Sequence, residues 1–176
     1  MRGCSDERRR IASGAPEPSI AGDAWRGGRA GPVVSEAEIE GLQAALRAEH
    51  SAIWGYGIVG SSISPETRSV VRDIDAAHRA RRDELADLIR LRGSDPDPAE
   101  ANYELPFPVG DPAGALQLAA LLEAGVAQGY AFAVSQATTQ RAKGFALAAL
   151  TDAALRQTSW RQLSGVAPVT PEFPGL

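Results

Sequence analysis

The sequence predicts an all-α protein, a four-helix bundle over residues 35–163, and three observations point there. Apolar residues make up 44% of the 176-residue chain, led by Ala and Leu, while aromatics are only 6%. Strong helix formers dominate such a composition, and β-branched residues are sparse. Four long stretches repeat apolar residues at alternating intervals of three and four. The connections between these stretches run short, long, short. A chain of this length suits one domain of ordinary size with tails.

Residues 1–34 are rich in Gly, Arg, Pro, Ser and Ala without a period, and cannot bury enough surface to offset their ordering entropy. A disordered extension is expected there, with Trp25 as a stray aromatic. Ser35 and Glu38 read as a capping box, and helix A follows to about Gly60. Its seam is Ile39, Leu42, Leu46, Glu49, Ile53, Tyr56 and Gly60, with Glu49 inside it. Gly55, Gly57 and Gly60 mark close helix contact. Ser64-Pro65 opens helix B, where proline's missing N–H costs nothing. Its stripe is Val71, Ile74, His78, Arg81, Leu85 and Leu88, ending at Gly93. A neighbouring row, Val71, Asp75, His78, Arg82, Leu85 and Ile89, is equally good, so whether Arg81 or Arg82 faces inward stays open.

Residues 94–111 hold four prolines and no helical period, the character of a crossover. Asp111-Pro112 caps helix C, with the stripe Leu116, Ala119, Glu123, Val126, Tyr130, Ala133 and Ala137. Helix D, from about Thr139, gives Phe145, Ala148, Asp152, Leu155 and Ser159. Residues 164–176 form a Pro-rich tail expected to lie extended along the surface. Helices A and B then pair antiparallel, as do C and D, while the long link lets B and C run parallel. One long crossover is the signature of ferritin-like bundles rather than simple up-down ones.

The formal net charge of −4 argues against a general nucleic-acid binder. Residues 1–34 carry six arginines against four acids, so the helical body is more acidic still, at −6. The run from His78 to Arg92 looks basic, yet Asp83, Glu84 and Asp87 interleave at helical spacing. That makes a solvated, ion-paired face rather than an RNA patch built on Arg79, Arg81 and Arg82. Seventeen Arg against the single Lys143 reads as GC-rich coding. Cys4 is the only cysteine, which excludes an intrachain disulfide and a cysteine metal site. MRGCSDERRR has no apolar segment beside it, and no uninterrupted apolar run approaches ~18 residues. The expectation is a soluble cytoplasmic protein without a membrane span. No phosphate loop, Ser/His/Asp triad or dinucleotide fingerprint is present.

Each helix places an ionisable residue on its apolar stripe: Glu49, His78 with Asp75, Glu123, and Asp152. Isolated buried charges cost several kcal/mol unless paired, protonated or metal-bound, so the four are expected to meet. Two readings follow. Asp75-Ala-Ala-His78 keeps the spacing of the Glu-x-x-His ligands of carboxylate di-iron sites, with Glu49, Glu123 and Asp152 completing an iron or manganese site. Alternatively, His78 and an inward Arg81 or Arg82 neutralise the acids in a metal-free network, and the arginine favours this second reading. Tyr56, seven residues after Glu49, is a core hydroxyl or a donor to a carboxylate. His50 lies a third of a turn from Glu49 and faces a flank or solvent.

The segments EHSAIWGYGIVG, AHRARRDEL, YELPFPV, LTDAALRQTSW and the terminal FPGL resemble an uncharacterised ferritin-like family of high-GC bacteria, domain of unknown function 4439. The resemblance covers roughly residues 35–176 and implies a ferritin-like fold paired as a homodimer. Set beside true ferritins, it puts Glu49 at the first-helix Glu and Tyr56 at the following tyrosine. Asp75 and His78 stand for Glu-x-x-His, Glu123 for the third-helix Glu, and Asp152 for a weaker fourth-helix ligand. The departures are the shorter Asp75, the missing second His and the neighbouring arginines, and they count against ferroxidase chemistry. The sequence therefore favours a non-catalytic binding or structural protein with no cofactor. A di-iron or manganese oxidoreductase, or an iron-handling protein, is the alternative.

Overall fold

A computed structural model describes residues 35–175; the extension expected over 1–34, with Trp25, lies outside them. Four helices form: α1 (Glu36–Ser62), α2 (Arg68–Arg90), α3 (Pro112–Gln136) and α4 (Gln140–Ser164). No strand occurs among the described residues. Packing runs α2 on α1, α1 on α3 and α3 on α4. Residue pairs give the directions. Glu49 meets His78 and Gly60 approaches Val71, so α1 and α2 are antiparallel. Gly41 lies against Ala133 and Gly55 against Leu122, so α3 also opposes α1. Glu38 meets Thr139 and Tyr56 meets Trp160, so α4 runs with α1. Parallel α2 and α3 need the long crossover that distinguishes the ferritin-like bundle.

Helix starts follow local chemistry. Ser35 Oγ accepts from Glu38 N at 3.1 Å, Asp111 Oδ1 from Gly114 N at 2.7 Å, and Thr139 Oγ1 from Ala142 N at 3.2 Å. Helix B opens later than its Ser-Pro suggests. The backbone of Thr67 donates to Ser64 O at 3.1 Å, closing a separate turn before α2 begins at Arg68.

The crossover lies along α1. Gln43 holds it from both sides, its Nε2 donating to Asp95 O at 2.7 Å and its Oε1 accepting from Asp97 N at 2.9 Å. Arg47 pairs with Asp97, and Trp54 stacks at a tilt on Tyr103 with centroids 5.6 Å apart. Leu105, Phe107 and Val109 then pack on the core. His50, with Nε2 3.2 Å from Asp97 O, serves this flank.

Small residues bring α1 and α3 together. A Cβ at Gly55 would lie 2.6 Å from the Leu122 methyls, and one at Gly129 would lie 2.9 Å from Ala48 Cβ. Gly57, expected at a contact, faces open space, and Gly60 has Val71 at an ordinary 3.6 Å. The tail returns to α3, where Gly175 lies so close that a Cβ would sit 2.6 Å from Ala127 O.

Three of the expected seams hold in their main positions, but that of α4 is displaced. Its buried residues are Ala142, Ala146, Ala149, Ala153, Gln157 and Trp160, while Ala148, Leu155 and Ser159 are exposed. The larger Phe145 and Leu155 suggested a seam, yet the helix approaches its neighbours on alanines. By length and composition α3 is apolar enough to cross a membrane, with mean hydropathy 1.3 over its most apolar window. Here it packs against both α1 and α4.

Candidate functional site

Glu49, His78 and Glu123 meet in the middle of the bundle, and all three are buried to within 1% of complete. The His78 ring sits between the two carboxylates. Its Nδ1 lies 2.7 Å from Glu49 Oε2 and its Nε2 lies 3.2 Å from Glu123 Oε1. Burial alone would lower the imidazole pKa, but hydrogen bonds to Glu123 and Glu49 and their negative charge outweigh it, raising the value to about 9. At neutral pH the ring is a cation donating from both nitrogens.

Two tyrosines close the centre. Tyr56 O–H donates to Glu123 Oε1 at 2.6 Å, and Tyr130 O–H donates to Glu49 Oε1 at 2.7 Å. Each tyrosine follows a glutamate of its own helix by seven residues, Glu49 to Tyr56 in α1 and Glu123 to Tyr130 in α3. Because α1 and α3 are antiparallel, each Glu faces the other helix's Tyr, and the two helices exchange one hydrogen bond in each direction. Burial, then the nearby glutamate charge, holds both phenols well above their ordinary range, so they stay neutral donors. Trp160 Nε1 of α4 donates to Tyr56 Oη at 2.9 Å. The result is one buried chain, Trp160–Tyr56–Glu123–His78–Glu49–Tyr130.

Asp75 and Asp152 do not join it. Asp75 pairs with Arg79 one turn away on α2. Asp152, on the displaced face of α4, pairs with Arg81 and has a side chain 46% exposed. This corrects the expectation of four helices converging on one point: α4 contributes Trp160, not an acid. The open choice of arginine also resolves. Arg81 is the more covered of the two, 22% exposed against 30%, reaching the half-exposed Asp152 and lying 5.7 Å from the centroid of Phe145, while Arg82 pairs with Asp83, so neither arginine pairs with the central acids.

A carboxylate-bridged iron or manganese pair would need Asp75 and Asp152 beside the central three. The residues present do not fit that group. Both ring nitrogens of His78 are already directed at carboxylates that lie on opposite sides of the ring, Tyr130 takes the other oxygen of Glu49, and Tyr56 shares Glu123 Oε1 with His78. Among the described residues no three His, Cys, Asp or Glu side chains are arranged to hold a metal ion. Glu123 Oε2 is the one oxygen of the centre that is buried without a partner.

A second buried acid was hidden in the expected capping box. Ser35 caps α1, but Glu38 does not return the bond. Its side chain, 1% exposed, crosses to the start of α4 and accepts from Thr138 N at 2.6 Å and Thr139 N at 2.8 Å. Thr138 Oγ1 donates to it at 2.7 Å and Arg92 Nε at 2.7 Å. Burial opposes the charge, yet the bonds from Thr138, Arg92 and the Thr139 backbone hold the carboxyl at about 2. A carboxylate at a helix N-terminus also meets the positive end of its dipole. The repeated seven-residue Glu–Tyr interval could have revealed Tyr130; nothing local distinguishes Glu38 from an ordinary cap.

The family model described as Domain of unknown function (DUF4439) matches residues 41–176. A solved structure of a conserved hypothetical protein, rv2844, from Mycobacterium tuberculosis is 35% identical with a TM-score of 0.70. That match covers 72% of this chain and 96% of the other. A structure of ferritin-like, diiron-carboxylate proteins from Bacillus anthracis str. Ames is 20% identical with a TM-score of 0.60. It covers 76% of this chain and 99% of that one, a likeness of fold. No curated protein matches.

Proposed function

The chain belongs to the DUF4439 family, and on that premise we propose that it is a non-catalytic, ferritin-like binding or structural protein in which a protonated histidine replaces a core metal. One observation carries this reading: the His78 ring lies between Glu49 and Glu123 with a nitrogen on each. A cation held between two buried carboxylates supplies the charge compensation that a metal would otherwise give. The two phenols add neutral donors, so the acids are held without hydrolytic or redox chemistry being required of them.

The alternative, an iron- or manganese-dependent protein, draws its support from the unpartnered Glu123 Oε2. Metal analysis of protein purified from iron- and manganese-supplemented cells separates the two. The expected result is far less than one metal per chain. Near-stoichiometric metal that disappears in a Glu49→Ala/Glu123→Ala variant would overturn the proposal.

A further inference from the structure

α2 and α4 pack on α1 and α3 but not closely on one another. Between the first half of α2 and the second half of α4 runs a groove of about 200 Å³, walled by Val70, Ile74, Leu155, Trp160 and Leu163. Large apolar side chains stay open to solvent there: Val70 is 48% exposed, Leu155 63% and Leu163 60%. Trp160 forms the floor, its ring held in place by the indole bond to Tyr56.

One charged group shares the wall, Arg156. Five arginines of the described residues are half-buried: Arg81, Arg82, Arg92, Arg156 and Arg161. Four of them hold an acceptor, namely Asp152, Asp83, Glu38 and the carbonyl of Pro168. Arg156 alone has no hydrogen-bond or ion-pair partner among the described residues. A half-buried guanidinium beside an apolar groove is complementary to an anion with a hydrocarbon tail. Its planar fork matches a carboxylate with two parallel bonds.

We propose that this groove binds a medium-chain alkyl carboxylate, with its chain along Ile74, Leu155, Trp160 and Leu163 and its head group on Arg156. The volume lies below the ~300–1,000 Å³ of pockets for drug-sized ligands, which sets the scale at a single short chain. The groove meets the core centre only at Trp160, and its head-group contact is Arg156, so the proposal does not depend on whether that centre takes metal.

Calorimetric titration of the full chain with decanoate below its micelle concentration, and separately with decan-1-ol below its solubility limit, tests it. Decanoate is expected to bind at least tenfold more tightly than the alcohol. Arg156→Gln should abolish that preference by weakening decanoate, leaving the alcohol unchanged. Leu155→Asp should weaken both, and circular dichroism checks that each variant folds. Equal affinity for the two probes, insensitivity to Arg156→Gln, or no binding below millimolar concentration would each overturn the proposal. So would sedimentation showing a second copy of the chain closing the groove, with Leu155→Asp separating the pair and decanoate leaving it intact.

Discussion

At the scale of single residues, His78 and Glu38 set opposite ends of the pH–stability profile. The folded pKa of His78, about 9, lies above the ordinary 6.5. Its stabilising contribution is therefore complete below pH 6.5 and is lost as pH rises through 9. At about 1.4 kcal/mol per unit, the loss is about 3 kcal/mol. Urea unfolding from pH 6 to 10 should show this decline, and His78→Gln should flatten it. An unchanged slope in the variant would refute the assignment. The same variant leaves two buried carboxylates facing a neutral amide, at a cost of about 3–5 kcal/mol at pH 6. Glu38 works in the other direction. Its carboxyl is held at about 2 against an ordinary 4.5, so its contribution is present above pH 4.5 and fades as pH falls through 2. Glu38→Gln should lower stability at pH 7 by about 1.5–3 kcal/mol, the value of hydrogen bonds to a charged group. It should also remove the acid limb between pH 4.5 and 2, measured by the same unfolding series.

Elements show where pattern reading succeeds and where it fails. The seams of α1 and α2 were legible because each sets large apolar residues against charged or polar ones, as Leu42, Leu46 and Tyr56 do in α1, and that of α3 because Glu123, Val126 and Tyr130 mark its row among alanines. α4 has no such contrast. Its buried positions are four alanines, a glutamine and a tryptophan, and alanine is as much at home on a helix surface as inside. Phe145 and Leu155 drew the seam to the adjacent row, and that displacement carried Asp152 into the expected centre. The register makes a direct prediction. Ala153 is 1% exposed and Leu155 is 63% exposed. Ala153→Leu should cost about 1–3 kcal/mol by overpacking, whereas Leu155→Ser should stay within about 0.5 kcal/mol. Thermal unfolding of the two variants decides between the faces, and the reverse ranking would restore the row through Leu155.

For the whole molecule, the question is what a buried charged centre contributes to a bundle that already has a core. The sequence announced three members of that centre, since Glu49, His78 and Glu123 interrupt otherwise apolar stripes. Tyr130 and Trp160 did not stand out, because an aromatic on a stripe looks the same whether or not its polar atom is bonded. A buried ion pair is often no more stabilising than well-packed apolar residues of similar volume, while removing one partner is severe. The centre here links three helices by charge, and α4 through the indole of Trp160. Its reciprocal Glu–Tyr bonds form only when α1 and α3 are in one register. Specifying that register is a role that packing of small alanines and glycines performs weakly. Replacing the set together, as Glu49→Leu, His78→Met, Glu123→Leu, Tyr56→Phe and Tyr130→Phe, should leave a helical protein. Its unfolding free energy should match or exceed the parent by up to about 4 kcal/mol. What it should lose is uniqueness: broader amide spectra and less protection from hydrogen exchange along α1 and α3. A variant as sharply ordered as the parent would show that alanine and glycine packing fixes the register alone.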